Sequence, residues 1–255
     1  MKSILSYNVN GIRSALSKDL MGFVLNFSPD IICLQETKAQ CGQMSEIDFL
    51  RNGYYFNSFS AEKKGYSGVA ILSKTKPDYI EYGIGIKKYD SEGRVIRADF
   101  GDITYISVYF PSGTTGGFRQ DFKMSFLSDF QNYLENLRCS RNKLVISGDF
   151  NICRLWIDIH NPEKQQQTSG FLPDEREWFA NFLGLGYIDT LREMNQEKNQ
   201  FSWWSYRAGS RNNNKGWRID YNIVTENLRS VILDTGILSH IVHSDHCPVW
   251  LKLDL

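Results

Sequence analysis

The chain has 255 residues, enough for one large domain with a substantial core. Its 29 basic and 29 acidic side chains give a formal net charge of zero, which excludes a uniformly polybasic protein and leaves any attraction for phosphate to a local patch. With 42% hydrophobic and 23% charged residues, no long apolar run and no leader-like N-terminus, the sequence excludes a membrane-spanning chain and makes the cytoplasm the expected location.

The first apolar run predicts a strand over residues 3–9. Leu16, Leu20, Phe23, Val24 and Phe27 then recur at helical spacing until Pro29, which predicts one helix. A fully apolar run predicts a buried strand at 31–35, and 54–59 and 69–72 read as a strand pair around a Lys- and Gly-rich turn. Residues 94–100 and 103–110 form a predicted hairpin across Gly101-Asp102. Phe122, Phe126, Phe130, Leu134 and Leu137 share one face of a predicted helix over 120–137. A strand at 144–147 is followed by a helix at 173–183, with Pro173 near its start and Gly184 after its end. Strands at 219–224, 230–233 and 249–253 complete the chain. No linker or repeat interrupts this order, so one α/β domain over 1–255 is expected, a two-sheet sandwich flanked by helices.

Polar residues cluster at the ends of these apolar runs. Tyr7-Asn8-Val9-Asn10 places two amides at alternate positions, able to face one cleft. Glu36 follows the second strand, where a hard cation could use its carboxylate, although a Glu after a strand is commonly a surface residue. Tyr109 ends a strand before Pro111 and can donate to phosphate or simply fill the core. In Gly148-Asp149-Phe150-Asn151 a carboxylate and an amide lie two residues apart. They suit activation of a water beside a phosphoryl group, or an Asx-turn closing the strand. Asp220 and Asp245 are carboxylate partners for His246, whose imidazole they could orient toward a phosphate.

Between Glu197 and Asp220 there is no acid. Lys198, Arg207, Arg211, Lys215 and Arg218 interleave there with Phe201, Trp203, Trp204, Tyr206 and Trp217, which suits a phosphate backbone and an exposed base or gap. A solvated loop with buried tryptophans is the alternative. Five cysteines (Cys33, Cys41, Cys139, Cys153, Cys247) are odd in number and widely spread, which argues against a thiolate zinc site or a disulfide framework. Cys33 and Cys247 read as small buried hydrophobes.

Taken in order, Asn8, Glu36, Tyr109, Asp149/Asn151, Asp220 and Asp245/His246 resemble the exonuclease III family of apurinic/apyrimidinic (AP) endonucleases, within the DNase I-like fold. Leu34-Gln35-Glu36-Thr37-Lys38, Gly148-Asp149-Phe150-Asn151 and Trp217-Arg218-Ile219-Asp220-Tyr221 carry the resemblance most specifically, and it spans essentially the whole chain. It implies a four-layer α/β/β/α sandwich and a magnesium-dependent phosphodiesterase, with manganese as a substitute. The substrate would be double-stranded DNA cut 5′ to an abasic site by a monomer, with 3′-phosphodiesterase and 3′→5′ exonuclease action besides.

By the same resemblance Glu36 is the principal metal ligand, and Asn8, Asp149, Asn151, Asp245 and His246 lie close enough to bind metal too. Asp149, Asn151, Asp220, His246 and Tyr109 carry the chemistry, and Asn10, Trp203, Trp217 and Arg218 face the DNA. Two stretches depart from the family pattern. The 113–117 loop is glycine-rich where some relatives insert a larger side chain, and Arg154-Leu155-Trp156 is unusually bulky and apolar. A small-molecule or lipid phosphatase of the same fold, and a non-catalytic DNA-binding protein, are the competing readings.

Overall fold

The computed structural model describes residues 1–40, 42–44 and 46–255, so Cys41 lies outside the described residues. Four of the six strands of one sheet are β1 (Lys2–Asn8), β2 (Ile31–Gln35), β3 (Tyr55–Phe59) and β4 (Val69–Ser73), with helices α1 (Ile12–Ser17), α2 (Leu20–Phe27) and α3 (Glu46–Arg51) between them. The chain then builds a second sheet. Its strands are β5 (Tyr79–Tyr82), β6 (Val95–Phe100), β7 (Ile103–Tyr109), β8 (Lys143–Asp149), β9 (Tyr187–Asp189) and β10 (Asp220–Thr225). Helices α4 (Lys87–Asp90), α5 (Gly117–Arg138), α6 (Pro162–Gln165), α7 (Pro173–Gly184) and α8 (Thr190–Met194) are inserted along the way. Finally β11 (Ile232–Ile237) and β12 (Val249–Leu253) return to complete the first sheet, in the order β11-β12-β1-β2-β4-β3. The second sheet runs β5-β6-β7-β8-β10-β9.

The layering follows from which residues are apolar on both strand faces. Ile4, Ile31, Cys33, Ile71, Ile96, Val145, Val224 and Leu251 meet between the sheets. On the far side of the first sheet Leu5, Ile32 and Leu72 pack against Ile12, Leu20 and Val24 of α1 and α2. On the far side of the second, Ile106, Ile146 and Ile223 pack against Phe126, Phe130 and Leu134 of α5 and Phe179 and Phe182 of α7. Each such side chain stabilises the fold by roughly 1.5–3 kcal/mol when fully buried. The result is the expected four-layer α/β/β/α sandwich.

Several elements differ from the sequence expectation. The single helix expected through residue 27 is two, because Asp19 turns left-handed (φ 68°) and its carboxylate accepts the Gly22 N–H at 3.2 Å, starting a new helix. The strand expected at 230–233 is displaced: a 3-10 turn occupies Glu226–Val231 and β11 begins only at Ile232. The edge strands β5 and β9 had no signal of their own, being four and three residues long.

Register is what positions the site. In the second sheet Tyr109 pairs with Asp149 and Asp149 with Asp220, so three adjacent strands end on one lateral row. In the first sheet Asn8 pairs with Gln35, which sets Glu36 just beyond the same end. Beneath this end the inter-sheet core turns polar. The Gln35 amide donates to Ser107 Oγ at 3.1 Å, and Ser147 Oγ donates to Asn222 Oδ1 at 2.6 Å, so these buried groups are partnered rather than left to destabilise the core.

Candidate active site

Asn8 joins the two sheets. Its side-chain amide donates to Glu36 Oε1 and to Asp149 Oδ2, both at 2.9 Å, while its oxygen accepts the Asn10 N–H at 3.0 Å. Asn8 thereby bridges the two carboxylates and fixes their spacing.

Glu36 and Asn151 both adopt left-handed backbone, at φ 50° and 51°, as do Asn10 and Lys38 at 45° and 51°. Such geometry is uncommon outside glycine and concentrates where the surrounding fold forces it. At Asn151 it closes the Asx-turn considered from sequence: the Asn151 N–H donates to Asp149 Oδ1 at 2.8 Å. The side-chain amide donates to Phe110 O at 2.9 Å, so the turn and the site are one arrangement.

His246 is oriented from one side only. Its Nδ1 lies 2.9 Å from Asp220 Oδ2, and Ser202 Oγ donates to that same oxygen at 2.6 Å. Its Nε2 faces the cleft, 3.9 Å from Asp149 Oδ2. Burial alone would lower the imidazole's basicity, but the Asp220, Asp149 and Asp245 carboxylates outweigh it and lift the pKa to about 10. Asp149 moves up to about 7: burial drives the change, with Asp220 and Glu36 adding to it and His246 opposing. Burial works against the Glu36 charge too, yet Lys38 and the Asn8 amide hold its carboxyl below the usual range. Burial first, then the Glu36 carboxylate, keeps the Tyr109 phenol protonated far above neutral pH.

The cleft above these groups has a volume of about 310 Å³. Glu36, Tyr109, Asp149, Asn151, Asp245 and His246 line its polar floor, and Trp203 and Trp217 form an apolar wall. The two indoles meet edge-to-face at 6.0 Å. Trp203 Nε1 donates to Asp245 Oδ2 at 3.0 Å, and Asn10 Nδ2 to Asp245 Oδ1 at 2.9 Å, so Asp245 ties wall to floor. Ligand atoms of Glu36, Asp149 and His246 lie within 4.8 Å of one another. The Glu36 and Asp149 carboxylates repel one another across this spacing, and a hard divalent cation between them would relieve that repulsion further than Asn8 and Lys38 do. The residues present fit such an ion.

Arg218 departs from the sequence expectation. Rather than facing DNA, its guanidinium is buried, bonded to Asp158 Oδ1 and Oδ2 at 2.8 and 2.9 Å and to Asp189 Oδ2 at 2.6 Å. Arg211 likewise serves the fold, donating to the carbonyls of Ser244 and Ser239 and lying 4.6 Å from the Trp204 ring centre. Of the basic and aromatic run, Lys198, Arg207, Lys215 and Tyr206 remain exposed.

Sequence reasoning missed several contributors. Lys38 Nζ lies 2.7 Å from Glu36 Oε2 and also donates to Asn10 Oδ1, a role its place two residues after Glu36 could have signalled. Ser202 carries no local signal at all. Nor does the buried Lys123, whose ammonium donates to Asn151 O at 2.8 Å and to Glu175 Oε1 at 2.6 Å. Glu175 Oε2 in turn accepts the Gly170 N–H at 2.6 Å, holding the 168–170 rim of the cleft against α5.

Residues 5–246 match the model of the Endonuclease/Exonuclease/phosphatase family. The Exodeoxyribonuclease of Bacillus subtilis (strain 168) is 39% identical over 254 residues, covering 99% of either chain. The Exodeoxyribonuclease III of Haemophilus influenzae is 34% identical, covering 97% of this chain and 98% of that protein. Among solved structures an AP endonuclease from Archaeoglobus fulgidus superposes with a TM-score of 0.91 at 30% identity, each chain fully covered. Matched along its whole length by sequence and by fold, the chain belongs to the Endonuclease/Exonuclease/phosphatase family, in its exonuclease III branch.

Proposed function

We propose that this protein is a magnesium-dependent AP endonuclease of DNA repair. It hydrolyses the phosphodiester 5′ to an abasic site in double-stranded DNA, leaving a 3′-hydroxyl and a 5′ deoxyribose phosphate. The same site trims 3′ ends as a phosphodiesterase and 3′→5′ exonuclease, in a single cytoplasmic domain acting as a monomer. The observation that carries this reading is the lateral row Tyr109–Asp149–Asp220 with His246 and Glu36 beside it, under an indole wall.

The apolar wall of Trp203 and Trp217 suits a deoxyribose without its base, and extruding a nucleotide costs least where the base is already missing. Asp149 Oδ2 takes the proton of the attacking water, with Asn151 aligning that water. His246 Nε2 and the Tyr109 hydroxyl donate to the scissile phosphate as its charge grows. Asp220 keeps Nδ1 protonated and the ring aimed. Magnesium, or manganese in its place, would be held by Glu36 and Asp149 with Asn151 and Asp245 nearby, and would supply charge to the phosphoryl oxygens.

The test is a duplex carrying one tetrahydrofuran abasic analogue, incubated with magnesium and, separately, with chelator. Cleavage 5′ to the analogue that chelator abolishes is the expected result. No incision, together with hydrolysis of phosphoinositides, would replace this reading with that of a lipid phosphatase.

A further inference from the structure

Trp156 is the one tryptophan of the chain that stands exposed, at 44%, while the other five are buried or half-buried. A single exposed aromatic is ordinary on a protein surface. Three observations set this one apart.

First, its mount is rigid. Trp156 opens the 3-10 turn Trp156–Asp158, and Asp158 is fully buried, bonded to Arg192 and Arg218. The Asp158 N–H returns to Leu155 O at 3.0 Å, closing the turn. Second, a cation accompanies the ring. The Arg176 guanidinium lies 6.0 Å from the Trp156 ring centre and 4.5 Å from that of Phe171, its Nε donating to Phe171 O at 3.2 Å. Third, the ring is tied to the wall of the cleft from behind. Trp156 meets Phe171 edge-on at 5.9 Å, and Phe171 packs in one cluster with Trp203 and Trp217. Gly170, between them, has φ 97° and lies so near Trp217 that an added Cβ would sit 3.0 Å from the indole. The buried Phe171 thus links Trp156 through the core to the indole wall, beside the Gly170 rim of the cleft. Arg154, two residues earlier, lines a different cleft with Tyr187 and Asp189.

We propose that Trp156 is a stacking platform for a nucleobase flanking the reacting nucleotide, with Arg176 facing the adjoining phosphate. The proposal rests on the DNA reading above and deepens it. A flat, preordered indole loses little entropy on stacking, every base offers it a π-face, and a guanidinium at its side matches the polyanion. A protein partner would have no comparable reason to meet a lone ring mounted behind the indole wall of a phosphodiesterase cleft.

The test measures binding in chelator, where turnover is absent, by fluorescence anisotropy with the full-length protein. The reference duplex carries one tetrahydrofuran site. In a companion set the base on the 5′ side, the 3′ side or the opposite strand is removed as well, one at a time. Trp156→Ala should raise Kd about tenfold on the reference duplex, as for loss of one stacked base, and Trp156→Tyr should restore most of it. On the one companion duplex whose missing base is the platform's occupant, wild type and Trp156→Ala should bind alike, because the partner of the deleted ring is already gone. Equal losses on every duplex, a change of less than twofold on all of them, or no binding by the wild type would overturn the proposal. Incision of the reference duplex by wild type with magnesium reports separately on the endonuclease reading: that reading can fail while the stacking cycle holds, and the reverse.

Discussion

Asp220→Asn probes the hydrogen bond that aims His246. The substitution is nearly isosteric at a buried position in register with Asp149, so the strand and its packing should survive. What it removes is the negative charge 2.9 Å from Nδ1, leaving a neutral acceptor that Ser202 Oγ also addresses. A hydrogen bond to a charged group contributes about 1.5–3 kcal/mol, against about 0.5–1.5 for a neutral one. The difference is about 1–1.5 kcal/mol, and if it is felt only as charge develops on the phosphate, the loss appears as a fall in kcat of roughly five- to thirteenfold. Single-turnover incision of the tetrahydrofuran duplex measures the step directly, and thermal unfolding checks that the variant is folded. Turnover within about threefold of wild type, or a loss confined to KM, would refute the claim that Asp220 acts through His246 in the transition state.

Other perturbations test other parts of the molecule. Asp149→Asn should cut the incision rate by two or more orders of magnitude while abasic-duplex binding in chelator persists, the expected range for a lost proton acceptor being about 10²–10⁴-fold. Glu36→Gln should shift the magnesium titration of activity to higher concentration, with most of the rate recovered at saturation; an unchanged titration midpoint would remove Glu36 from the ligand set. Gly148→Ala would place a Cβ 1.9 Å from Val108 O, so β7 and β8 must separate. Urea unfolding should show a loss of about 1–3 kcal/mol, and incision should fall as well because Tyr109 and Asp149 ride on those two strands.

Asp158 gives a pH-dependent outcome. Burial works against its charge, but Arg218 and Arg192 outweigh it and hold its carboxyl below the ordinary value. A depressed folded-state pKa contributes stability that is present above the unfolded value of about 3.9 and is lost as pH falls through the folded one. Asp158→Asn should therefore cost about 3–5 kcal/mol near pH 7, as for a broken buried pair, and less below about pH 4. An equal penalty at both pH values would contradict the ion-pair account.

The end-of-strand carboxylates were legible because alternation and apolar runs mark where buried strands stop, and the site lies at those stops. Asp149, Glu36 and His246 come together for that reason. Arg218 was misjudged because a basic residue among tryptophans looks the same whether it faces DNA or the interior. Its partners Asp158 and Asp189 stand 60 and 29 residues away, beyond any local pattern. Ser202 and Lys123 were invisible for the same cause, since each acts through a contact made only by the folded chain. The break at Asp19 was hidden by hydrophobic spacing that ran on unperturbed across it.

The left-handed residues around the centre bear on how this enzyme can be improved. At Glu36 and Lys38 a glycine would relax the backbone, so selection for heat resistance alone would reward it there. The same exchange would delete the carboxylate or the ammonium that neighbours it. Thermal hardening of this protein should therefore be sought in the helical outer layers, with the four kinked positions kept as they are.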